Sequence, residues 1–203
     1  MNLYKFGKVV VSGVFHLLFR IRVEGKENLA AGENYLVCAN HVSNLDPPML
    51  GVCLPFQTRF MAKEELFRNK FFGGLIRALG AFPVKRESRD IGAIKTALTV
   101  LKGGSSLVMF PEGGRSDGVT LRRGKHGAAL VALKSDVKIL PVGISGGYRP
   151  FCKTYVKIGS PIDLRAVVGA DCGRETSEKL QELTDKHLMP EIARLAEMKM
   201  YER

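Results

Sequence analysis

Short apolar runs rich in β-branched and aromatic residues alternate along this chain with segments whose apolar residues recur at helical spacing. The runs are RIRVEG (20–25), ENYLVCAN (33–40), QTRFMAK (57–63), AFPV (81–84), SSLVMF (105–110), VKILPVGIS (137–145) and TYVKIGSPI (154–162). Between them lie PPMLGVCL (47–54), NKFFGGLIRALG (69–80), SRDIGAIKTALTVLKGG (88–104) and RGKHGAALVALKSD (123–136). Gly80 suits a helix C-cap, Ser88 an N-cap and Gly103 a helix end. Leu180, Leu183, Ile192 and Leu195 predict an amphipathic helix from Arg174 onward, kinked or divided by Pro190. Strand and helix in alternation predict an α/β fold, a single domain with a mainly parallel sheet flanked by helices. A length of 203 residues suits one such domain, and 45% apolar residues suffice for its core.

Ligands of open α/β sheets gather beyond the carboxyl ends of the strands. Polar residues collect there in this sequence. His41 follows one apolar run, Lys63 ends a second, Arg86 follows a third, and PEGGRS follows a fourth.

ANHVSNLDPPM (39–49) places an imidazole five positions before a carboxylate. Within one helix these would not share a face, since helical neighbours are three or four apart. Pro47 suits the first turn of a helix, so Asp46 reads as its N-cap and His41 as part of the preceding loop. A loop of that length can fold back and bring Asp46 to the His41 ring.

FPEGGRSDG (110–118) is the other rich loop. Gly113 and Gly114 permit positive φ and close approach of backbone N–H groups to an anion. Arg115 can fork onto phosphate oxygens. Glu112 would repel an anion, so it serves something else: a substrate hydroxyl, or an arginine to be held. The lysine followed by Ser or Thr that marks a P-loop is missing. A polar turn with a surface salt bridge is the plain alternative. LPVGIS (140–145) reads as core.

A net charge of +11 asks for an anionic partner. No basic-aromatic stripe or known motif points to nucleic acid. Cys38, Cys53, Cys152 and Cys172 are isolated, without metal-ligand spacing, and read as thiols in a reducing compartment. Residues 1–19 carry an apolar run, Val9 to Phe19, too short to span a bilayer and interrupted by Ser12, Gly13 and His16. With Lys5, Lys8 and Arg20 nearby, they predict a membrane-contact helix lying in the interface, ahead of a domain over 20–203. A helix packed on the core is the alternative.

NHVSNLD, GAFPVKR, FPEGGRS and LPVGI, in this order, resemble the four motifs of the glycerolipid acyltransferases, and the chain is similar over about 20–150 to the 1-acyl-glycerol-3-phosphate (lysophosphatidic acid) acyltransferases. AKEELF (62–67) resembles a stretch seen in many members, giving Lys63, with Glu64 or Glu65, a supporting role. The chain departs from the pattern at Gly114, where a Thr is usual, and at Gly124, where an aromatic is common. A looser loop and a locally different pocket are the expected results.

The resemblance implies acyl transfer from a thioester of acyl carrier protein or coenzyme A to a lysophospholipid hydroxyl, giving phosphatidic acid, with no metal and no other cofactor. His41 would act as general base, a role for which an ordinary imidazole is suited at neutral pH, and Asp46 would fix its tautomer. Lys63, Arg86, Glu112, Gly113, Arg115 and Ser116 would line the substrate site, the two arginines on the phosphate and Glu112 on the glycerol portion. Ser43 lies in the same loop, but no second feature points to an acyl-serine. The enzyme would sit on the cytoplasmic face of a membrane, peripheral or monotopic, held to anionic lipid. Glycerol-3-phosphate or another lysophospholipid is the nearest alternative acceptor. A non-catalytic anionic-lipid-binding protein is the alternative from another class, and it would need neither His41 nor Asp46.

Overall fold

The computed structural model describes residues 3–84, 91–169 and 176–201. Its centre is a seven-stranded sheet in the order β1-β7-β6-β2-β5-β3-β4, built from β1 (Arg20–Glu24), β2 (Leu36–Ala39), β3 (Thr58–Lys63), β4 (Ala81–Val84), β5 (Ser106–Met109), β6 (Ile139–Ser145) and β7 (Lys153–Ile158). Strands β2 to β6 run parallel; β7 is antiparallel to β6, and β1 is parallel to β7. The mainly parallel sheet is the expected one. β2 lies between β5 and β6 and is buried throughout, which is why LVCA carries no polar alternation.

Helices cover both faces. One apolar layer joins α2 (Asp46–Cys53) and α1 (Leu3–Leu18) to the sheet through Met49, Leu50, Phe15, Val37 and Val142. The other joins α4 (Ile91–Lys102), α5 (Gly127–Ser135), α6 (Leu164–Val168), α7 (Ser177–Leu183) and α8 (Met189–Ala196), through Leu101, Ala129, Leu164, Leu180 and Ile192. α3 (Lys70–Ala78) starts at Asn69, whose side chain accepts from Phe72 N–H, and stops just before Gly80, at φ 94°. The expected cap at Ser88 lies outside the described residues, as do Arg86 and Cys172.

The N-terminal helix has two sides. Phe15 is buried, as is Phe19 just past the helix, whereas Val9, Val10, Val14 and Leu17 are exposed. It is therefore part of the core on one side and exposed on the other. Lys8 corrects the expectation of a headgroup contact: its Nζ donates to the carbonyl of Leu54 at the C-terminal end of α2, and burial lowers its pKa.

Two boundaries differ from expectation. α5 begins at Gly127 and not near Arg123, because Arg122 and Lys125 give their N–H groups to Glu112 and Pro111 and keep the intervening chain out of the helix. At the C-terminus the division falls ahead of Pro190, as a π-helical turn over Thr184–Leu188. Proline can donate nothing to the preceding turn and its ring crowds it, and a wider turn absorbs both faults.

α8 crosses β6 at Gly143, where a Cβ would stand 2.2 Å from the carbonyl carbon of Leu195 and 2.3 Å from Ala196 N. Neither backbone atom can yield without moving the helix. Gly143→Ala should destabilise the fold by about 1–3 kcal/mol or more, lowering the melting temperature by about 2–4 °C per kcal/mol. A thermal melt superimposable on that of the native chain would mean α8 does not seat on β6 as described.

Candidate active site

The carboxyl ends of β2 to β6 lie along one edge of the sheet, and the loop after β2 is fixed there residue by residue. Asn40 is fully buried; its amide donates to Ile144 O (2.9 Å) and accepts from Ile144 N (2.8 Å), extending the join to β6. His41 N donates to Glu112 Oε1 at 2.7 Å, and its carbonyl accepts from Ser116 N at 2.8 Å and Ser116 Oγ at 3.2 Å. The loops after β2 and β5 are thus laced together.

Val42 N and Ser43 N then donate to Asp46 Oδ2, at 2.7 and 2.8 Å. The same oxygen accepts from His41 Nδ1 at 2.7 Å, and Oδ1 accepts the Tyr148 hydroxyl proton at 2.6 Å. Asp46 is fully buried and opens α2 as its first residue. The expected N-cap role is corrected: Leu45 holds that position, with no side-chain cap. The carboxylate turns back into the loop, where four donors use it up, and the positive end of α2 favours its charge.

His41 Nδ1 faces a carboxylate, so it carries the proton and Nε2 keeps its lone pair. The ring stacks on Phe110 at 4.1 Å between centroids and 18° between planes. Its side chain is 15% exposed, enough for a substrate atom to reach it. A hydrogen-bonded, oriented imidazole whose second nitrogen has no partner among the described residues can accept a proton from a hydroxyl.

Glu112 is drawn in among the loops. It is 3% exposed, and its two oxygens accept backbone N–H groups from His41 and from Arg122 (2.8 Å). Burial raises its pKa, while the two N–H groups pull it down. It does hold an arginine, by backbone and not by guanidinium, and it straps three segments together. Gly113 N (to Phe110 O) and Ser116 N (to His41 O) are engaged as well, so the N–H groups of Gly113 and Ser116 are not free for an anion.

Gly113 has φ 68°, and the Lys125 side chain lies across it, with Nζ 3.0 Å from where a Cβ would be. Arg122 Nη1 lies 2.9 Å from the Cβ position of Gly114 and donates to Arg115 O at 3.3 Å. The loop is therefore not looser for lacking a Thr, since a guanidinium fills the space. Gly124 is matched likewise: a Cβ would stand 2.4 Å from Met189 Sδ, so a thioether from α8 occupies the place of a side chain there. Arg115 is exposed, and Lys63 stands exposed where β3 ends, two strands from β2. Arg86 is outside the described residues.

Sequence reasoning missed Asn40, Phe110 and Tyr148. Asn40 and Phe110 stood inside the quoted motifs, beside the residues singled out. Tyr148 follows β6 by three residues and has no spacing relation to His41. Asn40→Ala should leave Ile144 with an unpaired buried N–H and C=O, costing about 1–3 kcal/mol for each unsatisfied group. Urea unfolding measures this; a midpoint equal to that of the native chain would show that the amide bridge contributes nothing.

A family model described as Acyltransferase matches residues 20–145. The chain is 36% identical over 167 residues to the 1-acyl-sn-glycerol-3-phosphate acyltransferase of Bacillus subtilis, covering 79% of this chain and 82% of that one. It is 40% identical over 139 residues to the enzyme of the same name from Streptococcus pneumoniae, covering 65% of this chain and 51% of that one. The crystal structure of the 1-acyl-sn-glycerophosphate (LPA) acyltransferase from Thermotoga maritima superposes with a TM-score of 0.71 at 29% identity, covering 99% of this chain and 80% of that one. The match spans β1 to β6, and with them the His41–Asp46 pair and both laced loops, so this chain belongs to the acyltransferase family and is a glycerolipid O-acyltransferase.

Proposed function

We propose that this chain transfers a fatty acyl group from an acyl thioester to the free hydroxyl of 1-acyl-glycerol-3-phosphate, giving phosphatidic acid. The observation that carries the reading is the 2.7 Å bond from His41 Nδ1 to Asp46, which leaves Nε2 open at the strand ends. The acceptor hydroxyl gives its proton to Nε2 as its oxygen attacks the thioester carbonyl. The tetrahedral species collapses, the C–S bond breaks, and the imidazolium returns the proton to the departing thiolate. Asp46, buried behind the ring, balances the imidazolium charge between those events. No enzyme acyl intermediate is needed, because the substrate hydroxyl takes the place of a catalytic serine.

Arg115, Lys63 and Arg86 supply positive charge for the acceptor phosphate, with Arg122 and Lys125 beside the same loop. Gly113 and Ser116 shape that loop. Acyl carrier protein and coenzyme A are both anionic, and the net charge of +11 suits either donor.

The protein works from one leaflet. No described helix is long and apolar enough to cross a membrane. α1 exposes Val9, Val10, Val14 and Leu17, and α3 exposes Phe71 (87%), Phe72 and Leu75. α1 passes close to the end of α3, where Gly7 lies 3.5 Å, by its Cβ position, from Leu79. Apolar side chains on two neighbouring helices, with exposed Arg20 and Arg22 next in sequence, suit the interface of an anionic membrane on its cytoplasmic side.

His41→Ala should lower transfer by at least about 10²-fold with the melting temperature nearly unchanged. The assay supplies thioester donors with lysophosphatidic acid, glycerol-3-phosphate and other lysolipids as acceptors. A folded His41→Ala variant of native activity would sink the mechanism, and a preference for another acceptor would reassign the substrate. For the membrane, deletion of α1 is a poor probe, since Phe15 belongs to the core. Val14→Glu with Phe71→Glu should instead reduce binding to anionic liposomes, in both cases more weakly bound as salt rises. Unaltered sedimentation with liposomes would place the membrane contact elsewhere.

A further inference from the structure

We propose that Tyr148 is a positioning residue for acyl transfer, fixing the plane of the Asp46 carboxylate and thereby the His41 ring, and that Phe19, at the foot of α1, holds Tyr148 in place. The inference rests on the reading of His41 as the general base.

A carboxylate whose donors all sit on one oxygen can still rock about its Cβ–Cγ bond. Asp46 Oδ2 has three donors, and the Tyr148 hydroxyl at 2.6 Å is the partner of Oδ1. Asp46 has no exposure, so water cannot readily substitute for that hydroxyl. Burial, and then the charge of Asp46, push the phenol well above its ordinary pKa, so the hydroxyl keeps the proton it donates to Oδ1.

The loop that carries Tyr148 is built to face the site. Gly146 and Gly147, at φ 83° and 71°, turn the chain back after β6, and a Cβ on Gly146 would stand 2.3 Å from Lys153 O. Thr154 Oγ1 donates to Gly147 O at 2.7 Å and locks the turn. The loop then joins the end of α1: Phe151 N donates to Leu18 O at 2.7 Å, and Arg20 N to Cys152 O at 3.0 Å. The Phe19 ring meets Tyr148 edge to face at 5.6 Å, and Phe15 meets Phe19 at 5.5 Å. An unbroken series of contacts therefore runs from the helix with the exposed apolar side to the carboxylate behind the base. The seating of α1 sets the aim of His41 Nε2.

Tyr148→Phe keeps the ring and its contact with Phe19 and removes the O–H. It should lower kcat roughly tenfold with KM for both substrates close to native, the mark of an interaction that serves the transition state. The His41 Nδ1 proton, observed far downfield by NMR, should shift in this variant. Phe19→Leu should lower kcat by a smaller factor, and the double variant should be no worse than Tyr148→Phe, because Phe19 acts through the hydroxyl. Thermal melts accompany each variant. A native kcat in Tyr148→Phe, a change confined to KM, or an unmoved Nδ1 proton overturns the role of Tyr148. Losses that multiply in the double variant overturn the role of Phe19. If the native chain transfers acyl groups to no acceptor, the reading of His41 fails, while the proton shift still decides whether Tyr148 positions the pair.

Discussion

A carboxylate shut away from water is tolerated only when its oxygens are met by donors, and Asp46 draws its donors from two distant parts of the chain. Three come from its own loop and one from the loop after β6. The requirement works in both directions. The carboxylate needs the loop folded back, and the loop's N–H groups at Val42 and Ser43 need the carboxylate. Its neighbours repeat the principle: Asn40 is bridged to β6 and Glu112 to two backbone N–H groups. Three buried polar side chains thus fix consecutive residues 40–43 before any substrate arrives. Such a site needs little reorganisation during reaction, which is where polar groups are most effective.

The fold was largely legible because burial dictates composition. A strand buried on both faces has to be apolar throughout, and LVCA and SLVM stand out for that reason. The His41–Asp46 pairing was legible because Pro47 fixes where the helix starts and leaves a loop of known length. What was not legible depended on direction and on distance. Nothing in DPP says whether the aspartate caps forward or turns back; the four donors decide it. Glu112 looked like a ligand for substrate because a sequence shows the charge and hides the exposure. Tyr148 stands 102 positions from Asp46, and it takes the β2–β6 pairing and the turn after β6 to bring them together.

Two departures from the family pattern have physical counterparts. Where the loop lacks a threonine at Gly114, the Arg122 guanidinium stands in the vacated space. Where an aromatic is common, Gly124 leaves room that Met189 fills from the far end of the chain. Glycine at each position is therefore half of a pair, and a residue with a side chain would have to displace its partner. Gly143 likewise admits α8 against β6 and makes the C-terminal helices part of the site's scaffold. Gln181 adds a bond to the Gly124 carbonyl, and Leu121 N donates to Lys199 O.

The pairing of β1 with β7 has a consequence for how the molecule comes into being. Arg20 is in register with Lys153, so the strand made first has its partner among the last. A ribosome adds about 5–20 residues per second, which leaves α1 and β1 waiting for several seconds without the loop that holds them. Over that interval the exposed and the buried sides of α1 are equally open, and Tyr148 does not yet exist to meet Phe19. The segment that touches the sheet's edge strand is thus made well before its own domain can hold it, and closing of the sheet is the event that separates its buried side from its exposed one.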